Sequence, residues 1–184
     1  STLKWGVMCI IQARTHLDGL NRSVELATIG RRVCENEYDL LRLTHPHLDP
    51  GPAPATDPRP PRPETGLHGR PTAAELVEAV EEYLREDVLA TTEGQVRFHA
   101  RVAANALAVV ARELVAGPGA ERDHAERLAS LGVEDEAGLA RAIRSGRWAG
   151  EEAELEGAVW ASVLAKLAVA NPAYAEGAGA GAGS

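Results

Sequence analysis

The chain has 184 residues, 45% of them hydrophobic but only 4% aromatic, and a net charge of −8. That length allows one domain, or one domain with an appendage, and an Ala/Leu/Val-rich, aromatic-poor composition favours packed helices over a sandwich or barrel. The charge is uneven, with nine Lys or Arg against eight Asp or Glu in residues 1–71 and ten against eighteen in residues 72–174; such an acidic domain repels phosphate backbones and anionic membrane surfaces, which sets nucleic acid and membrane aside as partners.

From the N-terminus, Leu3 to Leu17 is apolar on nearly every side, with Leu3, Val7, Met8, Ile10, Ile11, Ala13 and Leu17 joined by Trp5 on another face. A helix apolar all round is usually buried among several neighbours. Asp18-Gly19 breaks it, and Asn21 or Ser23 can cap the next helix. From Ser23 to Thr44, Leu26, Ile29, Gly30, Val33, Leu40 and Leu41 share one face. Residues 1–44 therefore read as a helical hairpin with more apolar surface than two helices can cover. It needs a partner, either the rest of the chain or another domain.

Nine of the eleven prolines lie between Pro46 and Pro71. Residues 45–71 read as a Pro-rich linker in extended polyproline II form, about 3.1 Å per residue. The PxxP at Pro58–Pro61 is weaker support for a second use, as a ligand for a proline-reading module.

Residues 72–174 read as an acidic bundle of four to five helices, large enough for a core of its own. Thr72-Ala73-Ala74-Glu75 is a capping box in front of the stripe Leu76, Val77, Val80, Tyr83, Leu84 and Val88. A central helix is predicted over residues 93–116, stopped by Gly117-Pro118. Its main buried face should be Val96, Ala100, Ala103, Leu107, Val110 and Leu114, with Phe98, Val102 and Val109 as a second apolar line. Shorter helices follow over residues 120–131 and 135–145. A long one spans residues 151–170, acidic at its start, with Lys166 near its end and Asn171-Pro172 closing it. Residues 175–184 form a Gly/Ala tail expected to be disordered. No strand is expected, so the fold class is all-α.

The sequence carries no complete catalytic motif. There is no Gly-Lys dipeptide for a P-loop, no HExxH and no CxxC, and the alternating glycines 177–183 follow no strand. His16-Leu17-Asp18 and His47-Leu48-Asp49 have Ser23 and Pro54 where a kinase-type catalytic loop needs its metal-holding Asn. No catalytic residue and no cofactor is assigned. Two cysteines are too few for a disulfide scaffold, no apolar run reaches the ~18 residues of a membrane span, and the cytoplasm is the expected compartment. Cys9 and Cys34, placed nearly symmetrically about the hairpin turn, read as small buried hydrophobes. With His45 and His47 they make four nominal zinc ligands, but the spacing matches no zinc pattern.

The densest polar set is on the central helix, where Arg97, Arg101, Asn105 and Arg112 share a stripe between the two apolar lines and His99 sits on the edge of the core face. An arginine row flanked by apolar surface suits a phosphate or carboxylate; the alternative pairs those arginines with the domain's glutamates. Arg144, Lys166, Asn171 and Tyr174 are further ligand-binding candidates.

Two segments resemble known families. Thr2-Leu3-Lys4-Trp5-Gly6-Val7-Met8-Cys9, Gln12-Ala13, His16-Leu17, Arg22-Ser23-Val24-Glu25-Leu26-Ala27 and Ile29-Gly30-Arg31-Arg32-Val33-Cys34-Glu35 resemble the last helices of the aminoglycoside phosphotransferase/choline kinase-like family, closest to its branch associated with acyl-CoA dehydrogenases. Pro71-Thr72-Ala73-Ala74-Glu75-Leu76, the stretch Phe98 to Leu107, Ala142-Ile143-Arg144 and the stretch Lys166 to Tyr174 resemble a bacterial domain of unknown function that accompanies such kinases. The first resemblance implies a kinase that phosphorylates a small-molecule hydroxyl with ATP and Mg²⁺; the second implies association with such a phosphotransferase catalytic domain, in cis upstream or in trans, and with acyl-CoA metabolism, an acyl-CoA dehydrogenase being a further partner. The ATP-binding and catalytic motifs of that family have no counterpart in this sequence. The resulting expectation is a non-catalytic accessory or regulatory module of a small-molecule phosphotransferase. The alternative is a domain that binds or transforms a small anion at the Arg97/His99/Arg101/Asn105 stripe.

Overall fold

The computed structural model describes residues 2–48, 67–149 and 152–175, all of them in helices and the turns between. Most of the Pro-rich segment and all but the first residue of the Gly/Ala tail lie outside the described residues. Helix α1 (Thr2–Leu17) ends at Gly19, whose φ of 74° lets the N–H groups of Gly19 and Leu20 turn back to the carbonyls of His16 and Thr15. The chain reverses there, and Ser23 starts α2 (Val24–Ile29). The Ser23 hydroxyl accepts the Glu25 N–H at 3.2 Å, and its own N–H donates to His16 Nδ1 at 3.1 Å.

The single helix expected over residues 23–44 is interrupted by a 3-10 turn, Gly30–Arg32, before α3 (Val33–Thr44). The contact with α1 accounts for the small residue in this turn. A Cβ added at Gly30 would stand 2.5 Å from the Ala13 Cβ, and one added at Gly6 would stand 3.3 Å from the Asn36 Cβ. The hairpin closes through small residues, and the tightened turn directs α2 and α3 to different neighbours, α6 and α8 respectively.

Helix α4 (Ala73–Tyr83) begins with the expected capping box. The Glu75 N–H donates to Thr72 Oγ1 at 3.3 Å, and the Thr72 N–H to Glu75 Oε2 at 2.8 Å. It runs through a π-helical turn, Leu84–Val88, into the short α5 (Leu89–Thr91), and α4 packs on α6.

Helix α6 spans Gly94–Ser130, 37 residues, so the stop expected at Gly117-Pro118 does not occur and the separate helix over 120–131 is its continuation. Proline removes the N–H that would meet the carbonyl four residues back and crowds that carbonyl. Pro118 and Leu114 are both exposed, however, so water can take the released carbonyl. The true end is Gly132 at φ 65°, where the N–H groups of Gly132 and Val133 return to Ala129 and Leu128. The buried face of α6 also differs from expectation. Ala100, Ala104, Val109, Ala111 and Leu128 are buried, while Val96, Val110 and Leu114 are exposed. Neighbouring helices approach closest where side chains are small, so the alanine seam is covered and the larger residues beside it are not.

Asp135 caps α7 (Glu136–Arg144), its carboxylate accepting the Gly138 N–H at 2.6 Å, and α8 (Glu152–Ala170) follows. The principal core cluster joins Cys34 and Tyr38 of α3 to Trp160, Val163, Leu164 and Leu167 of α8. Tyr38 meets Trp160 and Tyr174 edge-on, with ring centroids 5.4 and 6.1 Å away. The two stretches that the prolines separate in sequence therefore share one core.

Helix α1 departs from the expectation of burial. Gly6 and Cys9 are buried, but Leu3, Val7, Met8, Ile10, Ile11 and Leu17 are exposed, Leu17 by 77%. Among the described residues no helix is long and apolar enough to cross a membrane.

Candidate functional site

Helix α3 turns three carboxylates, Glu35, Glu37 and Asp39, towards the end of α8, and each meets a different polar residue there. Lys166 Nζ lies 3.5 Å from Glu37, Asn171 Nδ2 donates to Glu35 at 2.9 Å, and the Tyr174 hydroxyl donates to Asp39 at 3.0 Å. Residues two apart on a helix diverge by about 200° around its axis. Glu35 and Asp39, four apart, therefore share one side of α3, where Asn171 and Tyr174 meet them, and Glu37 lies on the opposite side, where Lys166 meets it.

Glu35 is only 4% exposed, and Arg32 satisfies it with two guanidinium nitrogens at 2.9–3.1 Å. Burial, together with the Asp39 bond, pushes the Tyr174 phenol up to about 12. At the other end of α3, His45 and His47 approach the two oxygens of Glu156 at 3.2 and 3.5 Å. The hairpin and α8 are thus joined by a polar seam around the aromatic core.

Beside this seam lies a cavity of about 440 Å³ where the Gly30–Arg32 turn, α3, α6 and α8 meet. Arg31 pairs with Glu113 across its mouth, and Lys166 bridges Glu37 and Glu136, the latter at 3.1 Å. Burial works against the Lys166 ammonium, but the two carboxylates outweigh it and its pKa is raised. A second chain runs from Arg127 Nε to Ser162 Oγ at 3.3 Å, from Ser162 to His124 Nδ1 at 3.4 Å, and from His124 Nε2 to Glu136 at 3.5 Å. Cys34 forms part of the wall, and burial pushes its thiol up to about 11, so it stays protonated and a poor nucleophile near neutrality. Cys9 is also a buried thiol.

The sequence candidates divide into two groups. Lys166 lines the cavity, and Asn171 and Tyr174 belong to the seam. The stripe on the first half of α6 does not line the cavity. Arg97 donates to the Leu89 carbonyl at 2.6 Å, His99 lies 3.8 Å from Glu25 of α2, and Asn105 accepts from Arg85 at 3.1 Å. Arg101 and Arg144 are exposed. Arg112, half-buried, donates to the Val169 carbonyl at 2.7 Å near the C-terminus of α8, and burial lowers its pKa. These contacts tie α6 to α2, to the α4–α5 segment and to α8. Sequence reasoning did not single out His124, Arg127, Glu136 or Ser162. His124 and Arg127 lie beyond Pro118, on a helix taken to have ended. Only the i, i+3 spacing of 124 and 127 and the i, i+4 spacing of 162 and 166 hinted that each pair shares a face.

Residues 90–174 carry a domain of unknown function, matching the family described as DUF6285. The match covers α6, α7 and α8 and leaves α1 to α4 outside it. No curated protein and no solved structure matches the chain. The polar seam thus joins the matched domain to a hairpin that lies outside the match.

Proposed function

We propose that the chain is a non-catalytic accessory module that docks onto the catalytic domain of a small-molecule phosphotransferase, in cis or in trans, through the outer face of α1. The observation that carries this reading is the exposure of Leu3, Val7, Met8, Ile10, Ile11 and Leu17 on one helix. An apolar patch of this kind favours a protein partner that removes it from water. The resemblance of residues 1–44 to the last helices of the aminoglycoside phosphotransferase/choline kinase-like family supports that class of partner. It also points to an acyl-CoA dehydrogenase as a metabolic neighbour. In this reading the contacts of Lys166, Asn171 and Tyr174 with α3 hold the hairpin on the DUF6285 domain, which presents α1 to the partner.

Co-expression with a phosphotransferase catalytic domain of this family, followed by size-exclusion chromatography, tests the proposal. The two should elute together, and Ile10→Asp with Leu17→Asp should separate them while the melting temperature of the chain alone is kept. Co-elution indifferent to these substitutions, or no co-elution at all, would overturn it. The chain alone should also show no heat of binding with ATP and Mg²⁺, because its sequence has no phosphate-cradling loop motif and the described residues hold no cluster of metal-ligating side chains; micromolar binding would contradict a non-catalytic role.

A further inference from the structure

We propose that the cavity between α6, α8 and the Gly30–Arg32 corner binds an aliphatic monocarboxylate, with its carboxylate on Arg127 and its chain along the alanine and valine wall. The volume, about 440 Å³, is within the usual range for small-molecule sites. Val33, Ala116, Ala120, Ala165 and Val169 line it with short apolar side chains, which leave room for a hydrocarbon chain.

The ion pairing selects the charge. Of the three cations on the lining, Arg31 is matched by Glu113 and Lys166 by Glu37 and Glu136. Arg127 differs. Its Nε–H is directed to Ser162, and among the described residues no carboxylate meets its two terminal nitrogens. The Ser162–His124–Glu136 chain holds the Nε side of this guanidinium, leaving the terminal nitrogens for the parallel two-bond contact that guanidinium makes with carboxylate.

The same lining opposes more highly charged anions. Four glutamates, Glu37, Glu113, Glu121 and Glu136, face the three cations. A dianion such as phosphate would add charge to a site with one unmatched cation and an excess of carboxylate, whereas a monoanion meets that single cation. This site lies on the second half of α6 and is separate from the Arg97/Arg101 stripe, and its test is independent of docking through α1.

The test is an NMR titration of the full ¹⁵N-labelled chain with butyrate, hexanoate and octanoate, with inorganic phosphate and hexylammonium as competing chemistries. Hexanoate should shift the amides of Ala120, Arg127 and Ala165, and affinity should rise by up to roughly fourfold for each methylene added. Arg127→Gln keeps an amide donor for Ser162 but loses the fork. It should weaken hexanoate tenfold or more without lowering the melting temperature. The proposal is overturned if the carboxylates leave those amides unshifted at millimolar concentration or shift residues elsewhere. Phosphate or hexylammonium binding there as tightly as hexanoate would also overturn it, and so would unchanged hexanoate affinity in Arg127→Gln. The wild-type shifts and the chain-length series decide the matter even if that variant does not fold.

Discussion

Helices α1 and α8 are both rich in large apolar residues, yet their surroundings are opposite. On α8, Trp160, Val163, Leu164, Leu167 and Ala168 are buried. On α1 only Gly6 and Cys9 are, and seven large apolar residues, Trp5 among them, are exposed. The difference lies in which side of each helix its neighbours reach. Helix α8 places its bulky side chains between α3 and α6, where they interlock. Helix α1 meets the rest of the protein through its smallest residues, with Gly6 against Asn36 and Ala13 against Gly30, and close approach on that side turns its large residues away. Apolar character measures how much a helix gains from burial, and the position of its small residues decides which face obtains it from within the chain.

The strongest way to test this contrast is at Leu167, which is completely buried. Leu167→Ala should cost about 2–5 kcal/mol in chemical denaturation, a large share of the stability of a domain this size. Next is the close contact that sets the orientation of α1. Gly30→Val would force atoms against Ala13 and should cost roughly 1–3 kcal/mol, with Ala13→Gly recovering part of it. If Gly30→Val were neutral, small residues would not be what positions the hairpin.

The seam gives a comparable effect. Asn171→Ala removes one donor from the buried Glu35, which Arg32 still holds, and should lower stability by roughly 1.5–3 kcal/mol. The seam also makes stability depend on alkaline pH. Because the folded state holds the Tyr174 proton up to about 12, above the ordinary 10.0, its contribution is complete below pH 10 and is lost as pH rises towards 12. Tyr174→Phe should flatten the stability profile in that window, and an unchanged alkaline slope would argue against the Asp39 bond. The smallest effect belongs to α1 itself. Ile11→Ser should alter the stability of the isolated chain by no more than about 0.5 kcal/mol, since Ile11 is 59% exposed. A loss comparable to that of Leu167→Ala would mean that the outer face of α1 is covered in solution.

Local signals in the sequence marked several helix starts correctly, because capping involves only a few consecutive residues. Ser23, the Thr72/Glu75 box and Asp135 all begin helices near their expected places. Pro118 misled because whether a proline ends a helix depends on whether its side of the helix is open to water, and spacing alone does not report that. The error also concealed half of the cavity, since His124 and Arg127 lie in the part of α6 beyond the expected stop. Lys166, Asn171 and Tyr174 were recognisable as polar residues near the end of an apolar helix. Their partners, Glu35, Glu37 and Asp39, are more than a hundred residues away, and no pattern in a single sequence pairs them.

By itself the sequence determined an all-α chain, most of its caps, and an N-terminal helix with more apolar surface than a hairpin can bury. Helical periodicity and capping act within a few turns, so they are written locally. Only the tertiary structure decided that α3 joins α8 in one core, that the alanine face of α6 is the covered one, and that Arg127 is a cavity cation whose terminal nitrogens meet no carboxylate among the described residues. Those outcomes depend on which surfaces of distant stretches can approach most closely, and that is a property of packed shapes and paired charges across the described fold.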